Sequence, residues 1–165
     1  MPDPVLIRPA MVADFDAIAA LTNHFIEHTA IHFGLAPVTA DELRASWEKG
    51  RARFPYLVAE AEGRFAGYAK AGPWRERAAY DHTAEVGIYI ALGMQGRGVG
   101  KALYAALFEA CKAAGFHTLV AGLTVPNEAS RRLHEAMGFT YVGTFREVGR
   151  KFDAWHDTAW YQRVL

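Results

Sequence analysis

The sequence predicts one α/β domain of the α+β, mixed-sheet kind spanning residues 1–165, and three observations carry that prediction. The chain has 165 residues, a comfortable size for one hydrophobic core and a poor one for two. Apolar residues make up 52% and charged residues 22%, enough to bury a core and far from a disordered composition. Short β-rich runs and helical runs interleave without strict β-α-β alternation, and no repeat or low-complexity stretch divides them.

Each element can be argued in order. Val5 to Arg8 reads as an opening strand. Asp14 to about Glu27 carries Phe15, Ile18, Ala19, Leu21, Phe25 and Ile26 at helical spacing. Thr39-Ala40-Asp41-Glu42 has the form of a capping box and predicts a second helix ending near Gly50. Tyr56 to Ala61 and Arg64 to Ala71 flank Glu62-Gly63, the pattern of a hairpin. Ala84 to Ala91 is β-rich, and Gly100 to Ala114 is an apolar helix closed by Gly115. A short strand from Thr118 to Leu123 precedes a helix from about Glu128 to Met137 that ends at Gly138. Phe139 to Leu165 has the aromatic and β-branched content of two final strands.

Composition excludes several classes. Lys plus Arg is 18 and Asp plus Glu is 18, so the formal net charge is zero, without the basic footprint of a nucleic-acid binder. The lone Cys111 cannot form an intramolecular disulfide or a multi-cysteine metal site, and it falls on the apolar face of its helix as a core residue. No apolar run approaches the ~18 residues of a membrane span. The start, Met1-Pro2-Asp3-Pro4, lacks the form of a secretory signal, so a cytoplasmic location is expected.

The most informative stretch runs from Glu85 through Lys101 as strand, glycine-rich turn and helix start. Gly96, Gly98 and Gly100 permit close backbone approach, and amides at a helix N-terminus attract phosphate. No Asp or Glu occurs between Val86 and Phe108, whereas Arg97 and Lys101 are present. A Walker A loop would need Gly at Gln95 and Ser or Thr at Ala102, so that reading weakens. A dinucleotide fingerprint starting at Gly96 would need Gly at Lys101, and no acidic residue follows ~20 positions on.

Gln95-x-x-Gly98-x-Gly100 resembles the Q/R-x-x-G-x-G/A loop of the GNAT acyltransferase superfamily. Asn127-x-x-Ser130-x-x-x-His134-x-x-x-Gly138-Phe139 resembles that superfamily's second signature, N-x-x-A/S-x-x-x-Y-x-x-x-G-F, with His at the Tyr position. Asn23-His24, Gly72-Pro73-Trp74, Ala79-Tyr80-Asp81, Thr83-Ala84-Glu85, Pro126-Asn127, His134-Glu135-Ala136 and Trp155-His156-Asp157 narrow the resemblance to phosphinothricin and methionine sulfoximine N-acetyltransferases. It extends from Ile7 to Leu165. The resemblance implies a GNAT fold, a central mixed and mostly antiparallel sheet flanked by helices and splayed beside acetyl-CoA. It further implies direct acetyl transfer to the α-amino group of a small amino-acid analogue, a homodimer, and no metal or covalent enzyme intermediate.

The residues themselves can be weighed beside that likeness. Glu85 shares a strand face with Gly87 and Tyr89. A partly desolvated carboxylate there would have a raised pKa and suit a general base. Val86, Ile88 and Ile90 share the other face. The resemblance implies that Val86, Ile88 and Ile90 border the pantetheine arm while the main chain of Ile88, Tyr89 and Ile90 pairs to it, that the amides of Gly96, Arg97, Gly98, Val99, Gly100 and Lys101 after Gln95 hold pyrophosphate, and that Asn127 and Ser130 contact the arm. A main-chain N–H of the same strand would stabilise the oxyanion, worth ~3 kcal/mol per donor. Asn127 also suits an N-cap. His134 is the candidate general acid, although a coenzyme A thiol with a pKa near ~8.5 leaves with little protonation. For the acceptor the candidates are Phe33, Trp74, Arg75, Glu76, Arg77 and Tyr80, together with Glu85, Val86 and Gly87; Arg75 and Arg77 would pair an α-carboxylate.

Alternatives stay open at this point. His24, His28 and His32 have i, i+4, i+8 spacing that would suit a metal only if the helix ran through Thr29-Ala30-Ile31, so solvated or core-edge histidines are expected. The acceptor could instead be a protein N-terminus or a polyamine, although a polyamine needs an acidic pocket where Trp74 to Arg77 offers cations. A non-catalytic acetyl-CoA sensor would have no need of Glu85, and a nicotinamide oxidoreductase lacks its fingerprint.

Overall fold

A computed structural model describes residues 4–165. β1 (Leu6–Pro9) and a 3-10 turn lead into α1 (Phe15–His28) and α2 (Ala40–Gly50). The hairpin β2 (Tyr56–Ala61) and β3 (Arg64–Pro73) follows, then β4 (Thr83–Ile90) and α3 (Val99–Ala113). β5 (Thr118–Val125), α4 (Glu128–Ala136) and the long hairpin β6 (Thr140–Lys151) and β7 (Ala154–Val164) complete the chain. The expected elements all form, with ends shifted by one or two residues at β1, α1, β3, β4, α3, β5 and α4.

Local chemistry explains the punctuation. Asp14 caps the approach to α1 by accepting from the Met11 N–H at 2.7 Å, and the Arg8 guanidinium grips both of its carboxylate oxygens. That guanidinium holds the Asp14 carboxyl below its ordinary pKa. The Thr39 hydroxyl accepts from the Glu42 N–H at 3.1 Å while the Glu42 carboxylate accepts from the Thr39 N–H at 2.7 Å, the reciprocal box the sequence announces. Glu62 and Gly63 both take positive φ, as a two-residue hairpin turn between right-twisted strands requires.

The seven strands form one sheet in the order β1-β2-β3-β4-β5-β7-β6. Every neighbouring pair is antiparallel except β4 with β5. Strand alternation puts Leu57, Ala69, Ala71, Ala84 and Val86 against α3, with Leu103, Tyr104, Leu107 and Cys111 fully buried opposite them. The other face carries Val58 and Tyr68, covered by Phe15, Ile18 and Leu21 of α1. Burial raises the Cys111 thiol to a pKa of about 12, which makes it a core residue and a poor nucleophile.

The decisive feature for function is the β4–β5 pair. It is registered only at Thr83, Ala84 and Glu85, opposite Thr118, Leu119 and Val120. β4 continues to Ile90 and β5 to Val125, so the strands diverge past Glu85 and leave that edge of β4 without a strand partner.

Candidate active site

A cleft of about 610 Å³ occupies the gap opened by the splay, lined by Ile88, Tyr89 and Ile90 from β4, the turn after it, and α4. Its floor at the far end is the start of α3. Gly96 and Gly98 take φ of +76° and +82°, the left-handed region, and Gly98 caps α3. The first N–H groups of α3, from Val99 to Lys101, have no intrahelical acceptor, and no acidic residue stands in that first turn. The loop therefore offers what a pyrophosphate needs: donors, a positive dipole end and no opposing side chain.

Three loop residues also have partners inside the protein. The Arg97 guanidinium turns away from the cleft to Glu62 in the β2–β3 hairpin, at 2.8 Å, leaving only its main chain for the loop. Gln95 folds back so that its side-chain oxygen accepts from the Gly93 N–H at 2.9 Å, while still bordering the cleft. At Gly100 a Cβ would meet Leu133 Cδ2 at 3.0 Å, so the Leu133 side chain would have to give by a few tenths of an ångström to admit a larger residue, apart from any phosphate.

The facing wall comes from α4. Asn127 is its N-cap, its side-chain oxygen accepting from the Ser130 N–H at 3.2 Å, and both residues line the cleft. His134 lies one turn deeper, 1% exposed, beside a small cavity of about 50 Å³. Its Nδ1 donates to the Ser130 carbonyl at 2.7 Å, so in the neutral ring Nε2 accepts from the Tyr104 hydroxyl at 2.6 Å. Burial pushes the His134 pKa below the ordinary imidazole value, against the pull of the Ser130 carbonyl. Both nitrogens are thus engaged by the protein, and the expected acid lacks an N–H directed at the cleft. Tyr104 gave no signal in sequence, since the contact joins α3 to α4 across thirty positions.

The opposite face of β4 holds the candidate base. Glu85 keeps a path to solvent, yet its surroundings raise its pKa through burial, with Lys70 pulling it back. Val86, expected beside the acceptor, points the other way; it is 5% exposed in the α3 core and touches only the small cavity. The acceptor candidates divide. Trp74 packs on Trp160 with ring centroids 5.0 Å apart, and the Arg75 guanidinium lies over Trp74 at 4.9 Å. Glu76, Arg77 and Tyr80 are exposed on the β3–β4 connection, and Phe33 sits over Gly149 and 6.2 Å from His156.

The α1–α2 connection is pinned above this face. Asn23 bonds the Val38 N–H and carbonyl, both at 2.8 Å, and the buried Lys151 ammonium donates to the Ile26 and His32 carbonyls at 2.6 Å. α1 stops at His28, so His32 leaves the register of His24 and His28 and the three do not converge. His32 instead accepts from the Gly34 N–H at Nδ1, and burial first, then Lys151 and Lys70, lower its pKa.

A parallel-strand splay feeding a glycine-capped helix, with a carboxylate at the closed end, defines a protein that holds a long phosphorylated donor beside an acceptor. Residues 7–160 match the model of the Acetyltransferase (GNAT) domain. The chain is 44% identical over 160 residues to the phosphinothricin N-acetyltransferase of Streptomyces viridochromogenes, covering 97% of this chain and 87% of that one. It is 37% identical over 161 residues to the L-methionine sulfoximine/L-methionine sulfone acetyltransferase of Salmonella typhimurium, covering 96% and 94%. A Sinorhizobium meliloti phosphinothricin acetyltransferase solved with acetyl-CoA superposes with a TM-score of 0.93 at 32% identity, covering 98% and 88%. The chain belongs to the GNAT acetyltransferase family and is an N-acetyltransferase.

Proposed function

We propose that this enzyme transfers the acetyl group of acetyl-CoA directly to the α-amino group of a small amino-acid analogue of the phosphinothricin or methionine sulfoximine/sulfone type, with Glu85 as general base. The observation that carries the reading is the free β4 edge, which joins the phosphate-suited loop after Ile90 to the Glu85 carboxyl five residues back, ~17 Å at ~3.3–3.4 Å per residue. Acetyl-CoA would supply the reactive thioester. The residues present fit it: the α3 N-terminal amides for the pyrophosphate, the unpaired β4 main chain with Ile88 and Ile90 for an extended arm, and Asn127 and Ser130 opposite. Glu85, held less acidic than a free glutamate by its partial desolvation, takes the ammonium proton, and β4 amides meet the oxygen on which charge develops. Arg75 and Arg77, without carboxylate partners among the described residues, pair the acceptor's α-carboxylate.

The names of the relatives support this acceptor class. Thiol release from acetyl-CoA, followed over phosphinothricin, methionine sulfoximine, methionine sulfone, ordinary amino acids, a peptide N-terminus and spermidine, tests it. Turnover is expected with the first three. Turnover confined to the peptide or the polyamine overturns the acceptor assignment, and acetyl-CoA binding without any thiol release would make the domain a sensor. No helix is long and apolar enough to cross a membrane among the described residues, in keeping with a cytoplasmic enzyme. The edge strand β6 leaves its outer edge unpaired and Tyr141, Val142, Phe145 and Val148 exposed along it on both faces of the sheet, an edge suited to a homodimer. Light scattering is expected to give twice the monomer mass.

A further inference from the structure

Lys70 stands out as a lone charge within a strand that is otherwise apolar from Phe65 to Ala71. In the β3–β4 register Lys70 lies opposite Gly87, and Gly72 lies opposite Glu85. Directly paired residues share a face, so Lys70 and Glu85 occupy one diagonal of a four-residue patch and two glycines occupy the other. A side chain built on Gly72 would meet nothing within 4 Å, and one on Gly87 only the edge of Tyr89 at 4.0 Å. The patch is therefore a hollow floored by glycine, with a cation at one corner and a carboxylate at the other. Diagonal neighbours are ~7–8 Å apart, and Lys70 and Glu85 form no ion pair. Among the described residues neither has a hydrogen-bond or salt-bridge partner; the Lys70 ammonium only overhangs the Tyr56 ring at 5.9 Å.

The other charged groups near this hollow are committed elsewhere. Lys151 is spent on two backbone carbonyls, and His32, bonded at Nδ1, is held toward its neutral form by burial and by the two lysines. Resting on the acceptor class proposed above, we infer that Lys70 is a specificity-determining residue: it binds a second anionic group, at the side-chain end of the acceptor, while Glu85 receives the amine. The preferred substrates are then amino acids whose side chain ends in an anion, such as the phosphinate of phosphinothricin, over those ending in a neutral sulfone. Lys70 stays open to solvent on this face, and partial desolvation lowers its pKa, with Glu85 opposing.

The test compares kcat/KM for phosphinothricin and for methionine sulfone in wild type, Lys70→Met and Lys70→Arg. Lys70→Met is expected to lose at least tenfold on phosphinothricin, less than threefold on the sulfone, and nothing in acetyl-CoA KM, with Lys70→Arg restoring part of the loss. Equal losses on both acceptors, with a shifted pH profile, would mean that Lys70 acts only by tuning Glu85 and would overturn the inference. So would unchanged phosphinothricin kinetics. If wild type acetylates neither compound, the acceptor class itself has failed.

Discussion

The two faces of β4 differ in everything except their backbone. Toward α3, Val86 is buried in the core, where a fully buried side chain stabilises the fold by ~1.5–3 kcal/mol, and the partly buried Ile88 and Ile90 pack against it and wall the cleft. Toward α1, Tyr89 packs on Phe25 and Tyr68, while Glu85 and Gly87 border an open patch that holds unpaired charge. On the proposed function, one strand separates holding the donor from activating the acceptor, and substitutions on its two sides should separate affinity and stability from turnover.

The largest separation is expected at Glu85. Glu85→Gln keeps the shape and removes the basicity, so kcat should fall ~10²-fold or more at neutral pH with acetyl-CoA KM unchanged. In wild type the acid limb of kcat/KM should lie above the ordinary glutamate range, because burial raises this pKa. The sign for stability is opposite to that of a salt-bridged carboxylate. A group that holds its proton more tightly when folded favours the folded state at low pH, and that contribution is lost as pH rises through the folded pKa. Glu85→Gln should therefore keep or slightly raise Tm at pH 7. Wild-type turnover in the variant would move the base to water or another residue.

The next effect compares two turns of the same backbone strain. Gly63 in the β2–β3 hairpin and Gly98 at the head of α3 have φ of +68° and +82°, and a Cβ on either meets nothing within 4 Å. Gly63→Val and Gly98→Val should each lower Tm by a similar amount through the left-handed φ. Only Gly98→Val should also weaken acetyl-CoA binding at least tenfold, ~1.4 kcal/mol. Matching affinities in calorimetry for the two folded variants would remove pyrophosphate from this loop.

These contrasts also show what the sequence could convey. Glu85, the glycine turn and Asn127 were legible because their signals are local: alternation along one strand, a loop before a helix, an N-cap three residues ahead of its target N–H. The capping box at Thr39 and the Glu62-Gly63 turn were legible for the same reason. What was hidden depends on pairings distant in sequence. Lys70 is visible as a charge in an apolar strand, but only its register with Gly87 brings it to the face of Glu85. The Arg97 guanidinium reads as a free cation beside the loop, but Glu62, 35 positions earlier, holds it, and its main-chain amide alone is left to the loop. The three histidines suggest one helix face, but Thr29 ends α1 with its hydroxyl on the Phe25 carbonyl. The β4–β5 splay was reached only through the family likeness, since nothing in either strand records where pairing stops.

The smallest effect is expected deep on the α3 side, where the structure and the motif disagree about His134. The motif places an acid there, whereas the packing makes His134 a bridge between the Ser130 carbonyl and the Tyr104 hydroxyl, buried against the rings of Tyr104 and Phe139. Complete burial drives the Tyr104 pKa far above the ordinary phenol value, so its proton stays on oxygen and on the bond to Nε2. Tyr104→Phe removes that donor and nothing else of size, leaving one buried ring nitrogen unpaired at a cost of ~1–3 kcal/mol. In a chain of 165 residues each of those kcal/mol lowers Tm by ~2–4 °C. If the bridge is structural, calorimetry should show that loss while kcat for the acetylated acceptor changes less than threefold, because a thiolate whose conjugate acid has a pKa near ~8.5 departs without help. A fall in kcat of ~10²-fold with acetyl-CoA KM unchanged would instead place Tyr104 and His134 on the proton's path to the leaving thiol, and the donor side of β4 would then share in the chemistry that the comparison assigns to the acceptor side.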